Sequence, residues 1–501
     1  MKNKTGVCRA LLLVGMGLMI PCYLFTAGNT LLSPWPLYDR NRLALCLLTP
    51  LCLLLLLLLG RAAKAKVFET HERAVLLGFA AFYFVIQLVM ASALRFTPVT
   101  DLEQCVTAAR RLAQTGAFGD SERSLIYFGR YPHNMGLVYL LAGIFKAADA
   151  LGADELMAAA LVCGLLFSMG LLCAARLCRR LGGAQAQARA LLLFATCLPF
   201  LYCTSELYTD AFSVAFAPMI VFAFLKARDA GSRKERSLWA LLFAVCTFFG
   251  AQIRFPTIIA AIACLIAALF EKRAKLTALL AAPLALVFAV GGSAVNAANK
   301  ANLGAANIAQ NKLPKLHYIA MGLPVQSDEG YGQYGYGGWL IFSTSFDDPQ
   351  ARDEALRQEV VDRAYTLAHH PAQLLSTLSR KNLSTFGRGT FNLNEIFEAD
   401  AHEADNAVKQ AVFENGRFNR AYTHLATAMF VAQMALACIA CIQAIRRRDT
   451  RAAPLFLTLL GAFLFLSIWE TRARYFFQFM MILLCAGAMF ETPSTHAAQK
   501  A

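Results

Sequence analysis

The chain alternates between long uncharged apolar runs and short charged loops. No charged residue lies between Arg9 and Asp39, or between Arg42 and Arg61. Further uncharged runs lie between the pairs Arg73 and Arg95, Glu155 and Arg176, Arg236 and Arg254, Lys275 and Lys300, Arg420 and Arg446, Arg451 and Glu470, and Arg474 and Glu491, with shorter ones at 131–145, 190–205, 211–225 and 255–270. Because about 20 apolar residues cross a bilayer as a helix, the pattern predicts an all-α polytopic membrane protein with about 12–13 transmembrane helices.

Two long polar segments interrupt this pattern, at 95–132 and at about 296–420. They divide the chain into an N-terminal transmembrane core (1–295) that contains the first polar loop, a polar module (296–420) and C-terminal transmembrane helices (421–501). Within the module, helical periodicity from Asp348 to His369 ends before Pro371, which stops a helix. A second helix is predicted at 372–385, so the module is expected to be α-rich or α/β.

The positive charge of the chain is spread over its loops. The chain is 58% hydrophobic with a formal charge of +15 and a mean hydropathy of +0.50, values that place it in the membrane class. Basic residues cluster in short loops, among them Arg176-Arg179-Arg180, Arg233-Lys234-Arg236, Lys272-Arg273-Lys275 and Arg446-Arg447-Arg448. Such clusters mark the cytoplasmic side. They argue against nucleic-acid binding and predict a cytoplasmic N-terminus, with 95–132 and the module outside.

One segment does not fit a regular alternation of spans. With 95–132 outside and 176–189 inside, the apolar stretches 133–150 and 156–175 must make one net crossing between them. Either 133–150 enters the membrane and returns, or one basic loop breaks the positive-inside rule. The sequence leaves both alternatives open.

The first polar loop carries candidate chemistry in Thr100-Asp101-Leu102-Glu103. The motif closely follows a span, so a short helix that begins here would hold Asp101 at the membrane surface, with Glu103 as an accessory acid. A carboxylate in that position can act as a general base towards a hydroxyl. The alternative is structural, since Thr100 or Asp101 can cap the helix N-terminus.

Two further motifs place polar groups at the predicted outer surface. Arg130, His133 and Asn134 enter an apolar segment, where they could contact an anion or a sugar hydroxyl, or serve as interfacial anchors. Arg254 occupies the tip of an outer hairpin before Pro256. Its guanidinium suits a phosphate through paired hydrogen bonds, and the alternative is anchoring to lipid headgroups.

The last outer hairpin repeats this arrangement. It carries Glu470, Arg472 and Arg474, and the i, i+4 spacing of Glu470 and Arg474 favours an ion pair that leaves Arg472 for a ligand. Glu206 and Asp210 add carboxylates on the same side. Transporters coupled to ions place such groups at the bilayer midplane, whereas groups at the outer ends of spans favour a reaction on a lipid-borne phosphate.

The order of these motifs resembles the GT-C glycosyltransferases, and within them the protein mannosyltransferase and aminoarabinose transferase-like group of Gram-positive bacteria. The resemblance covers most of residues 70–490 and implies a GT-C-like helix bundle with an extracytoplasmic module. The motifs that carry it are Thr100-Asp101-Leu102-Glu103, Tyr131-Pro132-His133-Asn134, Tyr208-Thr209-Asp210, Arg254-Phe255-Pro256, Glu470 through Tyr475, His317 through Gly322, Gly337-Gly338-Trp339 and Lys381 through Phe391.

The resemblance also implies roles for individual residues. In that superfamily the acidic residue of the first outer loop is the catalytic base, which corresponds to Asp101 here, and Arg254 matches a basic residue that neutralises the donor phosphate or binds its sugar. Two features depart from the family pattern. Leu102 separates two acids that are adjacent in protein mannosyltransferases, which leaves Glu103 without an assigned role, and two extra spans precede the usual first one.

The expected function is therefore an inverting sugar transfer from a polyprenyl-phosphate donor at the outer face of a bacterial plasma membrane. The acceptor would be a cell-envelope polymer, lipid or protein, held by ring stacking on the Tyr/Gly loop 330–338 and Trp339. No cofactor is expected, and a divalent metal is left open, with His133, Glu206 and Asp210 as candidate ligands. The alternatives are a lipid-linked glycan flippase, and a glycan polymerase or ligase that uses a diphosphate-linked donor.

Overall fold

The computed structural model describes residues 2–33, 41–63, 65–94, 97–119, 121–326, 328–393, 406–413 and 416–491. All regular structure in these residues is helical. The helices of the N-terminal part are α1 Lys2–Gly17, α2 Met19–Leu32, α3 Arg42–Ala62, α4 Ala65–Ala93, α5 Thr100–Thr115, α6 Glu122–Arg130, α7 Met135–Ala150, α8 Glu155–Ala195, α9 Thr209–Ser213, α10 Phe216–Asp229, α11 Arg233–Ile253, α12 Ile258–Phe270 and α13 Ala274–Leu303. Those that follow are α14 Ala305–Asn311, α15 Lys315–Gly322, α16 Trp339–Thr344, α17 Pro349–His369, α18 Pro371–Phe386, α19 Ala407–Val412, α20 Asn419–Arg446, α21 Ala453–Ile468, α22 Arg474–Phe477 and α23 Met480–Ala488.

Eight helices in the described part of the chain are long and apolar enough to cross a membrane. They are Gly6–Leu32, Arg42–Ala62, Lys66–Ala93, Glu155–Ala195, Thr209–Asp229, Arg233–Ile253, Ala274–Leu303 and Asn419–Arg446. The apolar helices Phe255–Phe270 and Ala453–Ile468 are shorter, and the last apolar run is broken between α22 and α23. The prediction of an all-α polytopic membrane protein is confirmed. The expected total of about 12–13 spans is larger than eight because it also counted short and broken apolar segments.

Helix α8 is 41 residues long, far longer than one crossing needs. It bends at Gly183, whose φ of 75° and ψ of −169° are non-helical and are readily adopted only by a residue without a Cβ atom. The first part of α8 packs along α4 and leads into the basic residues Arg176, Arg179 and Arg180. Because the chain turns at Gly183, the predicted run 156–175 and the first residues of the run 190–205, up to Ala195, are joined in one bent helix.

Helix α7 answers the question left open for 133–150. It packs along α5, its Gly136 lies against the backbone carbonyl of Gln252, and Glu155, which follows it, forms an ion pair with Arg110 of α5. Both ends of α7 therefore lie with α5, and α7 is not one of the candidate spans. With 16 residues, α7 is shorter than the candidate spans, which favours the first of the two alternatives.

Ion pairs join the basic loops at one end of the bundle. Glu72 lies 3.5 Å from Arg179, and Arg180 lies 3.1 Å from Asp229. Helix α11 begins at this end and has 21 residues, so at 1.5 Å per residue it carries the chain about 30 Å before Arg254 follows it. Arg254 and the basic loops therefore lie at opposite ends of the bundle, as the predicted topology requires.

All regular secondary structure that the structure describes in the module is helical, so of the two predicted alternatives the module is α-rich. The carboxylate of Asp348 accepts hydrogen bonds from the backbone N–H groups of Gln350 and Ala351 at 3.0 and 3.1 Å, and so begins α17. The helix ends at His369 before Pro371, as predicted. Helix α18 covers the predicted second helix.

Candidate active site

A cavity of about 1360 Å³ lies at the end of the bundle that carries Arg254. Its walls come from α5, α6, the turn before α7, the α11–α12 turn, α13, the module and the 469–475 hairpin. The cavity brings together most of the predicted site residues, namely Asp101, Glu103, Arg130, His133, Asn134, Arg254, Glu470, Arg472 and Arg474.

Asp101 enters the cavity from the first turn of α5. The preceding residue, Thr100, has a φ of +54°, a left-handed conformation that is costly for a residue with a branched side chain. The helix is preceded by Val99 and has no side-chain cap. The Asp101 carboxylate is 44% exposed and accepts a hydrogen bond at 2.8 Å from the hydroxyl of Tyr127. The capping alternative is therefore wrong, and Asp101 faces the cavity.

Two arginines share one buried carboxylate behind this acid. The Asp210 side chain is fully buried, and its two oxygens lie 3.1 Å from Nε of Arg254 and 3.5 Å from Nε of Arg474. Nη2 of Arg474 also lies 4.0 Å from Oδ2 of Asp101. We call Asp101, Asp210, Arg254 and Arg474 the charged cluster. Its formal charge is zero, and both guanidiniums border the cavity.

Aromatic rings and a hydroxyl fix the planes of these guanidiniums. Arg254 lies 4.4 Å from the ring centre of Tyr475 and donates from Nη1 to the Thr209 hydroxyl at 2.7 Å. Arg474 lies 5.3 Å from the ring centre of Tyr208. Stacking on a ring holds a guanidinium flat and adds an electrostatic attraction. The donors of both arginines are thus held in place before any ligand arrives.

The 469–475 hairpin is tied to the Tyr/Gly loop of the module. The backbone N–H of Thr471 donates to the Gly332 carbonyl at 2.8 Å, and its hydroxyl donates to the Tyr331 carbonyl at 2.9 Å. Arg472 donates from Nη2 to the Tyr334 carbonyl at 3.1 Å. Arg472 therefore joins loop 330–338 to the cavity wall.

Glu470 and Arg474 do not form the ion pair with each other that their i, i+4 spacing predicted, and each has another partner. Glu470 accepts a hydrogen bond from the hydroxyl of Tyr475, while Arg474 contacts Asp210 and Asp101. Burial raises the pKa of the Glu470 carboxyl above its ordinary value. Glu470 thus holds Tyr475 in place beneath Arg254.

Lys381 of α18 is a buried cation below the same hairpin. Its ammonium donates to the carbonyls of Gly322 and Trp469, the second at 2.7 Å. Burial lowers the pKa of Lys381 to about 7. Lys381 therefore links α15, α18 and the first residue of the hairpin.

His133 lies between cationic groups on the cavity wall. Loss of water around its ring, together with the positive charge of Arg254, lowers the pKa of His133 to about 4. The ring is therefore neutral at physiological pH, and it can offer a hydrogen bond but no charge to an anion. Arg130 lines the same wall as a permanent cation.

Three residues that the sequence predicted to take part in the site do not line the cavity. Asp210 supports the arginines from behind, and Glu206 is buried, with 1% of its surface exposed. The expectation that Trp339 stacks on an acceptor is wrong, because its ring is buried in the module core and packs against the Arg363 guanidinium at 4.5 Å. Among the residues that the structure describes, no group of three or more His, Cys, Asp or Glu side chains could hold a metal ion.

Several cavity residues were missed from the sequence. Tyr127, Tyr475 and Thr209 contact the charged residues directly, and Lys312 and Lys315 line the cavity from the module. The two lysines stand just before the His317 motif, which was a usable signal. No sequence signal identified Tyr127 as a site residue, because its contact with Asp101 depends on how α6 folds back onto α5.

The fold and the cavity define a polytopic helical membrane protein with a charged chamber at one end. The chain belongs to the family described as conserved hypothetical integral membrane protein, whose family model matches residues 42–495. No curated protein matches the chain. Among solved structures it is similar to ArnT from Cupriavidus metallidurans, crystallised with undecaprenyl phosphate, with 12% identity over 83% of this chain and 78% of that chain and a TM-score of 0.37.

Proposed function

We propose that the protein is a membrane glycosyltransferase that moves a sugar from a polyprenyl-phosphate donor to an extracytoplasmic acceptor. The observation that carries the proposal is the charged cluster. A cavity-facing carboxylate, Asp101, lies 4.0 Å from the guanidinium of Arg474, and the buried Asp210 pairs with both Arg474 and Arg254. Such an arrangement suits a base and an anion site that act on the two ends of one displacement.

The arginines would hold the donor phosphate. Guanidiniums bind phosphate oxygens through paired, charge-assisted hydrogen bonds, and those of Arg254 and Arg474 border the cavity. The cavity is also bordered by Val295 and Asn296 of α13, a helix of which only 6% of the most apolar stretch is buried. A polyprenyl chain could therefore leave the cavity along α13 into lipid while its phosphate stays with the arginines.

Asp101 would act as the general base. It takes the proton from an acceptor hydroxyl, whose oxygen then forms the new bond to the anomeric carbon. The bond between that carbon and the phosphate oxygen breaks, and its electron pair leaves with the lipid phosphate. Arg254 and Arg474 stabilise the charge that develops there. A single displacement of this kind inverts the anomeric centre, and we propose no cofactor and no metal for it.

Aromatic residues beside Asp101 suit the acceptor. The hydroxyls of Tyr131 and Tyr334 are hydrogen-bonded at 2.8 Å, and the rings of Tyr318 and Trp469 are stacked, with centres 5.1 Å apart and planes 13° apart. All four residues line the cavity. Flat rings with polar edges can hold the faces of a sugar, so the Tyr/Gly loop keeps an acceptor role through Tyr334 in place of Trp339.

The substitution Asp101→Asn tests the proposal. The asparagine side chain has the shape of aspartate but cannot act as a base. Sugar transfer is therefore expected to fall by about 10²–10⁴-fold, while the amount of protein in the membrane stays normal. Asp149→Asn is the matched control, because Asp149 is exposed and does not line the cavity. The readout is mass spectrometry of cell-envelope polymers and lipid-linked sugars in a deletion strain complemented with each variant.

Two outcomes would contradict the proposal. Normal glycan from a strain that carries Asp101→Asn at normal level would remove the base assignment. Accumulation of unchanged lipid-linked sugar on one side of the membrane in the deletion strain, with no missing covalent product, would favour the flippase alternative.

A further inference from the structure

Three consecutive elements form one line of hydrogen bonds that ends on Asp101. Nδ2 of Asn134 donates to the Tyr127 hydroxyl at 2.9 Å, and that hydroxyl donates to Oδ1 of Asp101 at 2.8 Å. Asn134 lies in the short turn Pro132–Asn134, Tyr127 in α6 and Asp101 in α5. We infer that Tyr127 and Asn134 are a positioning pair that aims the second oxygen of Asp101 at the acceptor hydroxyl, an inference that rests on the proposed function.

The chemistry of the groups sets the direction of the line. An amide nitrogen can only donate, so the Tyr127 oxygen accepts from Asn134 and must send its own hydrogen elsewhere. The Oδ1 atom of Asp101 is the partner it finds. Burial raises the pKa of Tyr127 above its ordinary value, so the hydroxyl keeps its hydrogen and remains a donor throughout the reaction. Oδ1 is thereby occupied.

The other oxygen of Asp101 remains available. Its neighbours are farther away, with the Tyr208 hydroxyl at 3.5 Å and Nη2 of Arg474 at 4.0 Å from Oδ2. Both distances are at or beyond the limit of a normal hydrogen bond. An acceptor hydroxyl can approach Oδ2 while Oδ1 stays fixed. The ionisable groups that face Asp101 are Tyr127, Tyr131 and His133 from the α6–α7 region, Cys105 from its own helix, Tyr208 and Arg474 from the bundle, and Tyr318 and Tyr334 from the module.

This geometry gives Asn134 a different task from the sugar contact expected from sequence. Only 4% of its surface is exposed, and its amide nitrogen is engaged with Tyr127. That nitrogen cannot donate to a sugar hydroxyl without losing its hydrogen bond to Tyr127. In this inference Asn134 therefore acts on the reaction through Tyr127 and Asp101.

The experiment uses the full-length protein in lipid nanodiscs. A panel of undecaprenyl-phosphate-linked hexoses and pentoses serves as donor, a cell-envelope extract serves as acceptor, and release of undecaprenyl phosphate is measured from pH 4 to 9. The variants are Tyr127→Phe, Asn134→Ala and their combination. Tyr139→Phe is the matched control, since that hydroxyl also bonds a side-chain amide, Asn299 at 2.9 Å, and Tyr139 does not line the cavity.

Tyr127→Phe is expected to lower kcat by about 10- to 100-fold with little change in the KM for the donor. The acidic limb of its pH–rate profile should move upward by on the order of one pH unit, because the ionised base has lost a hydrogen bond. Asn134→Ala should show a smaller effect of the same kind. In the combined variant the decreases in kcat of the two single variants should not multiply, because both residues act through the same chain of hydrogen bonds to Asp101. Tyr139→Phe should match the wild type in kcat and profile.

The outcomes separate the two ideas. If the wild type releases undecaprenyl phosphate and Tyr127→Phe keeps its kcat and pH profile, the positioning pair is overturned and the proposed function stands. The same holds if the two substitutions multiply, since Asn134 would then act independently of Tyr127. If the wild type shows no release with any donor in the panel, the proposed function fails, and the positioning pair fails with it. Thermal melting in nanodiscs identifies any variant that has lost its fold, and Asn134→Gln then replaces Asn134→Ala.

Discussion

At the scale of single residues, the site depends on the buried carboxylate of Asp210. An unpaired arginine near the membrane is costly to desolvate, and two adjacent arginines also repel each other. Asp210 offsets both effects for Arg254 and Arg474. It also keeps their guanidiniums at a fixed spacing, so an incoming phosphate meets donors that are already oriented.

The substitution Arg254→Ala should weaken the binding of undecaprenyl phosphate by about 10- to 100-fold, since a charge-assisted hydrogen bond contributes roughly 1.5–3 kcal/mol. Arg254→Lys should recover part of this loss, because it keeps the charge and loses the planar pair of donors. The measurement is the affinity of the purified protein for undecaprenyl phosphate, with Arg233→Ala at the opposite end of the bundle as control. An unchanged affinity for Arg254→Ala would remove its phosphate role.

His133 should make the folded protein sensitive to mild acid. Its pKa in the folded state is about 4, below the ordinary 6.5, so between these values the unfolded chain binds a proton that the folded chain does not. Stability is therefore full above pH 6.5 and falls as the pH drops towards 4. His133→Asn should flatten the dependence of Tm on pH between 7 and 5, while the same change at the exposed His369 should not. Parallel Tm curves for wild type and His133→Asn would contradict this.

At the scale of elements, the position of the hairpin that carries Arg472 and Arg474 is set by the module. Thr471 bonds the backbone of loop 330–338, and Lys381 bonds the carbonyl of Trp469. A buried ammonium that satisfies two carbonyls fixes their spacing, because both would otherwise lack partners. The module is therefore part of the framework that holds this wall of the cavity.

Lys381→Met should loosen that framework. It leaves the carbonyls of Gly322 and Trp469 without this donor, at a cost of about 2 kcal/mol, which should lower Tm by about 2 °C and reduce sugar transfer. Arg357→Met on α17 is the control, since Arg357 is 70% exposed and its ion pair with Glu354 is a surface pair that contributes little. Equal melting temperatures for the two variants would show that Lys381 does not fix the hairpin.

The sequence predicted elements well where a local signal marks their ends. Asp348 and Pro371 bracket α17 as expected, and the Arg254 turn precedes Pro256. The reversal of α8 at Gly183 lies in the predicted basic loop 176–189, but the sequence did not predict that the helix continues on both sides of this residue. The sequence also did not predict which charged residues form ion pairs within the site. Asp210 meets Arg254 and Arg474 from distant parts of the chain, and no local spacing encodes a contact of that kind.

At the scale of the whole molecule, charge is sorted along the bundle. The basic loops are bound to one another by ion pairs at one end, and the cavity lies at the other. The positive-inside rule then predicts that the cavity lies at the extracytoplasmic face, where the proposed lipid-linked donor and envelope acceptor would meet.

Labelling of intact cells with a membrane-impermeant thiol reagent tests this orientation. Asp353→Cys, on the exposed surface of the module, should react from outside, while Lys234→Cys should react only after the cells are opened. Most of the native cysteines are buried or half-buried, which keeps the background low. Labelling of Lys234→Cys in intact cells would reverse the assigned orientation and place the cavity on the side where no envelope acceptor is found.

The shared carboxylate of Asp210 also bears on how the protein could finish one round and begin another. Two arginines without a neighbouring carboxylate would bind a phosphate more tightly and release it more slowly. In the proposed reaction, Arg254 and Arg474 would stay paired with Asp210 after the lipid phosphate leaves. On the proposed function, the lipid phosphate could therefore return to the bilayer without leaving two unpaired arginines in the cavity, which could then bind the next donor.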